Sequence, residues 1–189
     1  AMVEEGLTSD RILTMKAIEN ALMVDLAIGG STNSALHLPA IAREADVELT
    51  LAEIDELSAT TPCISKIRPS SKYTLWDFYE AGGVGAVLGV LAPLLNRDVR
   101  TVTGSKIDGY FRPVKRGEVI RTLDDPLQPQ GGIVILRGNL APDGAVVKVS
   151  GIKGALQGQV GTARTFDSEE DLMRHIMNKE VKAGDVLVI

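Results

Sequence analysis

Cysteine is almost missing: the 189 residues hold one, Cys63. A single thiol excludes an internal disulfide and any all-cysteine metal cage built by this chain alone, and it fits a reducing, cytoplasmic setting. Basic runs are missing as well. No stretch of Lys or Arg exceeds two residues, and the net charge is -5 with an isoelectric point near 5.1. The positive surface that a nucleic-acid partner requires is therefore not expected. Long apolar runs are the third absence. The longest, Ala21 to Ile28, is interrupted by Asp25 and is far shorter than the roughly 20 residues of a membrane-spanning helix. Neither a span nor a signal peptide is read. HExxH, paired metal histidines, GxSxG and a Walker loop are also absent from the sequence, which removes the reactions those patterns serve. What is present is a composition 44% hydrophobic with mean hydropathy +0.10, ample for a packed core. The chain opens Ala1-Met2 and stops inside the run Val186-Leu187-Val188-Ile189, which reads as a piece of something longer.

The first half has helical periodicity. Apolar residues recur at three- and four-residue spacing through Ile12, Met15, Ile18, Leu22 and Leu26, with Ser9 and Asp10 as capping candidates. Gly29-Gly30 ends that helix. A second helix is expected from about Thr32 to Glu44, burying Leu36, Leu38, Ile41 and Ala42. A third follows Thr50, whose pairing with Glu53 has the capping-box pattern, and a fourth starts at Thr74 with Asp77 in its first turn. Gly82-Gly83 separates it from an apolar helical stretch, Val84 to Leu95. After that the character changes. Short β-branched runs at Val99–Val102, Ile133–Leu136, Ala145–Val149 and Val186–Ile189 read as strands, interrupted by one helix from Ser168 to about Lys179 with Leu172, Ile176 and Met177 as its apolar stripe. The Gly-, Pro- and charge-rich stretch Gly104 to Gly132 is the expected boundary or long surface excursion.

Gly29-Gly30-Ser31-Thr32-Asn33 is the most suggestive local motif. Two glycines let the backbone approach a ligand, and the next helix would aim N–H groups and hydroxyls at an anion. The plainer reading is a helix C-cap followed by an N-cap supplied by Ser31 or Thr32. His37, among Leu36, Leu38 and Pro39, reads as a packed histidine. His175 reads as solvated, facing away from its helix's apolar stripe. Cys63, in Thr61-Pro62-Cys63-Ile64, reads as a buried, inert thiol. The carboxylates Glu169, Glu170 and Asp171 sit at a helix start, where the dipole accounts for them.

Several stretches together resemble the dihydroxy-acid dehydratase and phosphogluconate dehydratase family. They are Glu19-Asn20-Ala21, the Gly29 to Asn33 motif with Leu36-His37-Leu38, Thr61-Pro62 with Lys66, Pro69 and Ser70, Gly82-Gly83-Val84, and Thr101-Val102-Thr103-Gly104. The series continues in Leu136 to Pro142, Gly144 to Lys148, Phe166 to Glu170 and Gly184-Asp185-Val186. Order and spacing hold over nearly the whole chain. The phrase Ser70-Ser71-Lys72 departs from the family's Ser-Gly-Lys, and the Leu136 to Lys148 stretch is closer to the dihydroxy-acid and sugar-acid branches than to the phosphogluconate one.

The resemblance implies dehydration of a 2,3-dihydroxy acid to a 2-oxo acid, with an iron-sulfur cluster as Lewis acid and Mg2+ on the carboxylate side. It places the cluster cysteines and the Asp and modified Lys ligands of magnesium before residue 1, and a glutamate ligand and a base serine after Ile189. No catalytic residue and no metal ligand is then expected in this chain, which alone would be inactive. Gly30, Ser31, Thr32 and Asn33 would border the active site. The implied fold class is α+β: residues 1–96 the helical tail of an α/β N-terminal domain, and 97–189 a β-rich swivelling, barrel-like domain. The implied partner is a small hydroxy acid, in a parent that is a homodimer of branched-chain amino-acid synthesis. Two alternatives stand beside it: a sugar-acid (aldonate or phosphogluconate) dehydratase of the same family, and a non-catalytic module binding an anion at Gly29 to Asn33.

Overall fold

The helix starts are set by short-range hydrogen bonds that the sequence spells out. In the computed structural model, which describes residues 2–149 and 160–189, Thr50 and Thr74 each close a reciprocal capping box. Thr50 Oγ1 accepts from the Glu53 N–H while Glu53 Oε2 accepts from the Thr50 N–H, and Thr74 and Asp77 repeat the arrangement. Each box satisfies donors that a helix N-terminus otherwise leaves unpaired. The helices are α1 (Met15–Ala27), α2 (Ser34–Glu44), α3 (Leu51–Thr60), α4 (Leu75–Glu80), α5 (Gly83–Leu91) and α6 (Glu169–Met177). The strands are β1 (Ile133–Leu136), β2 (Ala145–Lys148), β3 (Thr162–Thr165) and β4 (Asp185–Val188). The protein is therefore a mixture of helix and sheet in two compact units, Ala1–Ile152 and Lys153–Ile189.

In the larger unit α1 is buried on two sides. Ile18, Leu22 and Leu26 pack with Ala35 and Ala42 of α2, Ile54 of α3 and Ile133 and Ile135 of β1. Met23 and Ala27, on a second side, join Phe78, Val87, Leu91 and Ile120. Strands β1 and β2 form an antiparallel hairpin with Ile133 opposite Lys148 and Leu136 opposite Ala145. It is tied to α3 by the Ile135 N–H, which donates to Asp55 Oδ1 at 2.9 Å, and by the Ser58 hydroxyl, which donates to the Ile133 carbonyl. In the smaller unit β3 and β4 pair in parallel, with α6 as the crossover that parallel strands require.

Several expectations change. The first long helix starts at Thr14, whose hydroxyl accepts from the Ala17 N–H, and the Ser9 and Asp10 region is a separate 3-10 turn. Helix α2 starts later than expected and buries Ala35 and Ala42, spaced so that Leu38 lies between them, leaving Leu36 (68%) and Ile41 (45%) exposed. Val99–Val102 forms no strand, because the chain reverses at Thr101–Ser105, where Gly104 takes a positive φ of 77° and its N–H returns to the Thr101 carbonyl. A single bridge, Arg100 to Lys106, is all that pairs there.

The Gly104 to Gly132 stretch is not a surface excursion. Val119 and Ile120 are buried, Ser65 Oγ donates to the Val119 carbonyl at 2.8 Å, and the Arg121 N–H donates to the Ile64 carbonyl at 2.8 Å. Backbone groups that leave the surface must be paired, and these are paired with Cys63–Ser65. On α6 the inward residues are Asp171, Leu172 and His175, while Ile176 and Met177 are exposed. His175 rests edge-on against Phe166 and its Nδ1 donates to the Asp171 carbonyl at 2.9 Å, so it is half-buried and not solvated.

Asp77 makes the fourth helix sensitive to acid. The Thr74 N–H, then the Thr74 hydroxyl, then Arg116 hold its carboxyl down to about 2, below the ordinary 3.8. A carboxylate depressed in the folded state contributes stability above its unfolded value and loses that contribution as pH falls through the folded one. The difference in thermal midpoint between the unsubstituted chain and Asp77→Asn should therefore shrink as pH falls from about 4 to 2. A difference constant over that window would assign the cap to shape alone.

Candidate functional site

The last turn of α1 shapes the Gly29 to Asn33 loop. Gly29 takes the left-handed conformation, φ 60°, and its N–H donates to the Leu26 carbonyl, while the Gly30 N–H donates to the Asp25 carbonyl at 2.8 Å. That pair of bonds is a Schellman closure, in which a residue without a Cβ carries the positive φ at least cost. The reading of Gly29 as a helix C-cap is therefore what the structure has at that position. The N-cap half of that reading is different. Helix α2 begins after Asn33, which makes no side-chain cap, and Ser31 instead accepts the Asn33 N–H at 3.3 Å. The N–H groups of Ser34, Ala35 and Leu36 turn back onto the carbonyls of Ser31, Thr32 and Asn33, so they are already committed.

The anion in this loop belongs to the chain itself. Asp25 projects from α1 into the loop, where its Oδ2 lies 2.7 Å from Ser34 Oγ and its carboxyl accepts the Ser31 N–H. Ser34 Oγ also lies 2.5 Å from the Ser31 carbonyl. Gly30 is pressed against the same group: a Cβ there would stand 1.9 Å from Asp25 Oδ1. Burial pushes the Asp25 carboxyl above its ordinary value, against the opposing pull of Ser34, the Ser31 N–H and the field of Lys148 on β2. Desolvation is the largest of these influences, as it is for carboxyls removed from water without a close cation.

Of the residues singled out in the sequence, Gly30, Ser31, Thr32 and Asn33 lie together on this loop, with Ser31 and Asn33 exposed and Thr32 half-buried. Asp25 and Ser34, which complete the arrangement, were not singled out. The available signal was Asp25 itself, an acid breaking an apolar run in the last turn of a helix, where the dipole disfavours negative charge. His37 stands on the exposed side of α2 and is not packed. Cys63 is fully buried, its thiol donates to the Ser65 carbonyl at 3.4 Å, and burial raises it above the usual thiol range. The backbone that carries it runs against the end of α1, with the Ile64 and Ser65 N–H groups both donating to the Ala27 carbonyl.

These donors do not fit an iron-sulfur cluster or a magnesium site. The one cysteine is sealed in the core and biased toward the protonated thiol, whereas cluster ligation needs several accessible thiolates. Among the described residues no group of three or more His, Cys, Asp or Glu side chains is arranged so that it could hold a metal ion. Nor is any helix among them long and apolar enough to cross a membrane.

Comparison with known proteins agrees with the motif series. The family model described as dihydroxy-acid/6-phosphogluconate dehydratase N-terminal matches residues 1–110, and its C-terminal counterpart matches 118–189. Similar proteins include the dihydroxy-acid dehydratases of Methanococcoides burtonii, 48% identical, and Ignicoccus hospitalis, 50% identical. The dihydroxy-acid dehydratase of Ruminiclostridium cellulolyticum is 45% identical. Each comparison covers 100% of this chain and 35% of the relative, so the chain spans about a third of the length of the proteins it matches. With both family models matched in order along its length, the chain belongs to the dihydroxy-acid/6-phosphogluconate dehydratase family.

Proposed function

We propose that the whole protein carrying this segment is a hydro-lyase that dehydrates a 2,3-dihydroxy acid to a 2-oxo acid, most simply a dihydroxy-acid dehydratase of branched-chain amino-acid synthesis. The observation that carries this is similarity along the whole of this chain, and along 35% of each relative, to proteins of that name at 45–50% identity. In the reaction a C–H bond beside the carboxylate and a C–OH bond on the neighbouring carbon break. Water leaves, and the resulting enol becomes the 2-oxo acid. The family's iron-sulfur cluster and Mg2+ would supply Lewis acidity in that protein. Their ligands and the proton-transferring base would come from parts of the protein beyond this segment, since Cys63 and the described carboxylates do not form such a site. By itself this chain would then be inactive.

This segment's own contribution, in the same reading, is the border of the substrate pocket. Ser31 and Asn33 offer exposed polar side chains on a loop whose backbone is closed at both ends, a rigid platform suited to orienting a hydroxy acid. The alternative of a stand-alone anion-binding module is weakened by Asp25, whose carboxyl takes up the Ser31 N–H at the place an external anion would occupy. A sugar acid in place of the branched-chain dihydroxy acid is equally compatible with such a platform. The finer architecture, with 1–96 ending an α/β domain and 97–189 forming a swivelling barrel-like domain, belongs to this reading too. Its support is that all four named strands follow residue 132. A cytoplasmic homodimer completes it.

Asn33→Ala in the whole protein should lower kcat/KM for 2,3-dihydroxyisovalerate by about tenfold, the worth of one lost polar contact, with an unchanged circular dichroism spectrum. Assays on aldonic acids alongside would identify the branch. Unchanged kinetics on every substrate would remove the loop from the active site.

A further inference from the structure

Helix α5 contains no polar side chain from Gly83 to Leu91. A helix apolar on every side belongs in a protein interior unless it is long enough to span a membrane, and nine residues are not. Yet α5 is covered only in part. Ala86, Val87 and Leu91 enter the core. Gly85 and Gly89 are pressed against the following chain, where a Cβ would stand 2.9 Å from the Tyr110 carbonyl oxygen and 2.7 Å from the Arg112 carbonyl oxygen. The remaining side, Val84 and Leu88, faces a groove of about 490 Å³ whose α1 wall is Ala17, Ala21 and Val24. Those α1 residues are spaced four and three apart, on one face of the helix. At about 30 Å³ per molecule the groove would hold roughly 16 waters against apolar walls, an unfavourable arrangement. One cation lines it. Arg100 is exposed, and among the described residues its guanidinium has no hydrogen bond or ion pair, whereas Arg97 is paired with Asp108. The other polar side chains of the lining, Asn20, Thr101 and Tyr110, are already bonded within the chain.

We propose that this groove receives a helix from the part of the whole protein outside this segment, one that lays an apolar stripe between α1 and α5 and presents a carboxylate to Arg100. Two helix faces meeting in a valley take a third helix through residues at i, i+3 or i+4, and i+7, and the small side chains of Ala17 and Ala21 admit it closely. The occupant follows from three facts. Every lining residue falls within the stretch that the N-terminal family model matches, so the groove belongs to that domain. About two thirds of each relative's length lies outside the match, which leaves ample chain to cover it. A second copy of this chain, with a net charge of -5, would approach against its own charge, and the one uncommitted polar group in the groove asks for a single carboxylate. The proposal rests on this segment belonging to a longer protein, as its relatives do, and not on the reaction that protein catalyses.

The test is thiol labelling in the whole protein. Val84 and Val102, both lining the groove, are 50% and 60% exposed in this chain, and Val84→Cys and Val102→Cys change their volume little. Treated with N-ethylmaleimide and read by peptide mapping, which tells them from other cysteines, both should react at least about a hundredfold more slowly in the native whole protein than in the same protein unfolded in urea. Should Val84→Cys not fold, Val102→Cys lies outside any helix and still decides the matter. Rates within about threefold of the unfolded ones would leave the groove open and overturn the proposal. Protection that disappears on dilution would assign the groove to a second copy and overturn it equally. Arg100→Gln should speed labelling of Val84→Cys in the native protein about tenfold, the effect of one lost charge-assisted hydrogen bond, while Arg100→Lys should stay within about threefold. An unchanged rate in Arg100→Gln would overturn the carboxylate contact. Because the readout is labelling and not turnover, a protein inactive on 2,3-dihydroxyisovalerate could still show a covered groove, and the two readings fail separately.

Discussion

Gly30→Ala should destabilise the chain by about 1–3 kcal/mol, the usual range for forcing atoms into a filled space, and most of that loss should vanish when Asp25 is also alanine. The added methyl would sit 1.9 Å from Asp25 Oδ1 and 2.4 Å from its Cγ. Either the carboxyl leaves Ser34 and the Ser31 N–H, or the loop moves away from α1. No positive φ is involved at this position, so the cost is steric and lies with one neighbour. That makes it separable by a double-mutant cycle. Urea midpoints of the unsubstituted chain, the two single variants and the double variant measure it. An equal cost of Gly30→Ala with and without the Asp25 side chain would show that some other contact is responsible. Gly138→Ala is the matched control, because nothing lies within 4 Å of its Cβ position, and it should change the midpoint little. Turnover of the whole protein should fall with Gly30→Ala more than with any single loop side-chain deletion, since the steric push displaces Ser31, Thr32 and Asn33 together.

Asn20→Leu should cost a further class of energy, about 2–3 kcal/mol, through orphaned backbone groups. Asn20 is 3% exposed, its Nδ2 donates to the Asn96 carbonyl at 2.9 Å and its Oδ1 accepts the Asn96 N–H at 2.8 Å. One side chain thereby stands in for a strand partner and fastens the segment after α5 to the middle of α1. Leucine fills much the same volume and makes neither bond. Asn96→Ala keeps both, because they use its backbone, and gives up only the contact from its Nδ2 to Glu19 at 2.7 Å, so it should cost under about 1 kcal/mol. Thermal or urea unfolding of the two variants decides this. A larger loss from Asn96→Ala than from Asn20→Leu would invert the assignment.

How much of this was readable in advance depends on the reach of each interaction. The starts of α3 and α4 were legible because Thr50 with Glu53, and Thr74 with Asp77, bond across three residues. The buried thiol of Cys63 was legible from its apolar and turn-forming neighbours, and Gly29 from its place after an apolar helix. The inward face of α2 was not, because Ala35 and Ala42 were chosen over Leu36 and Ile41 by what packs against them, namely α1 and the β1 region. The path of residues 104–132 was hidden for a related reason. Its glycines, prolines and charges resemble those of a surface loop, while the bonds that hold Val119 to Ser65 span 54 residues.

The sequence by itself determined the family, since many short motifs in one order are jointly specific, and it determined the starts of α3 and α4 and the chemical poverty of the chain in thiols and histidines. Only the tertiary structure decided what fills the Gly29 to Asn33 loop. Asp25 and Ser34 are nine residues apart and both are ordinary surface types. Their meeting, the crowding at Gly30 and the approach of Lys148 from β2 depend on how α1, α2 and the hairpin close around one small volume. A carboxyl's proton follows its surroundings, and those surroundings exist only after folding.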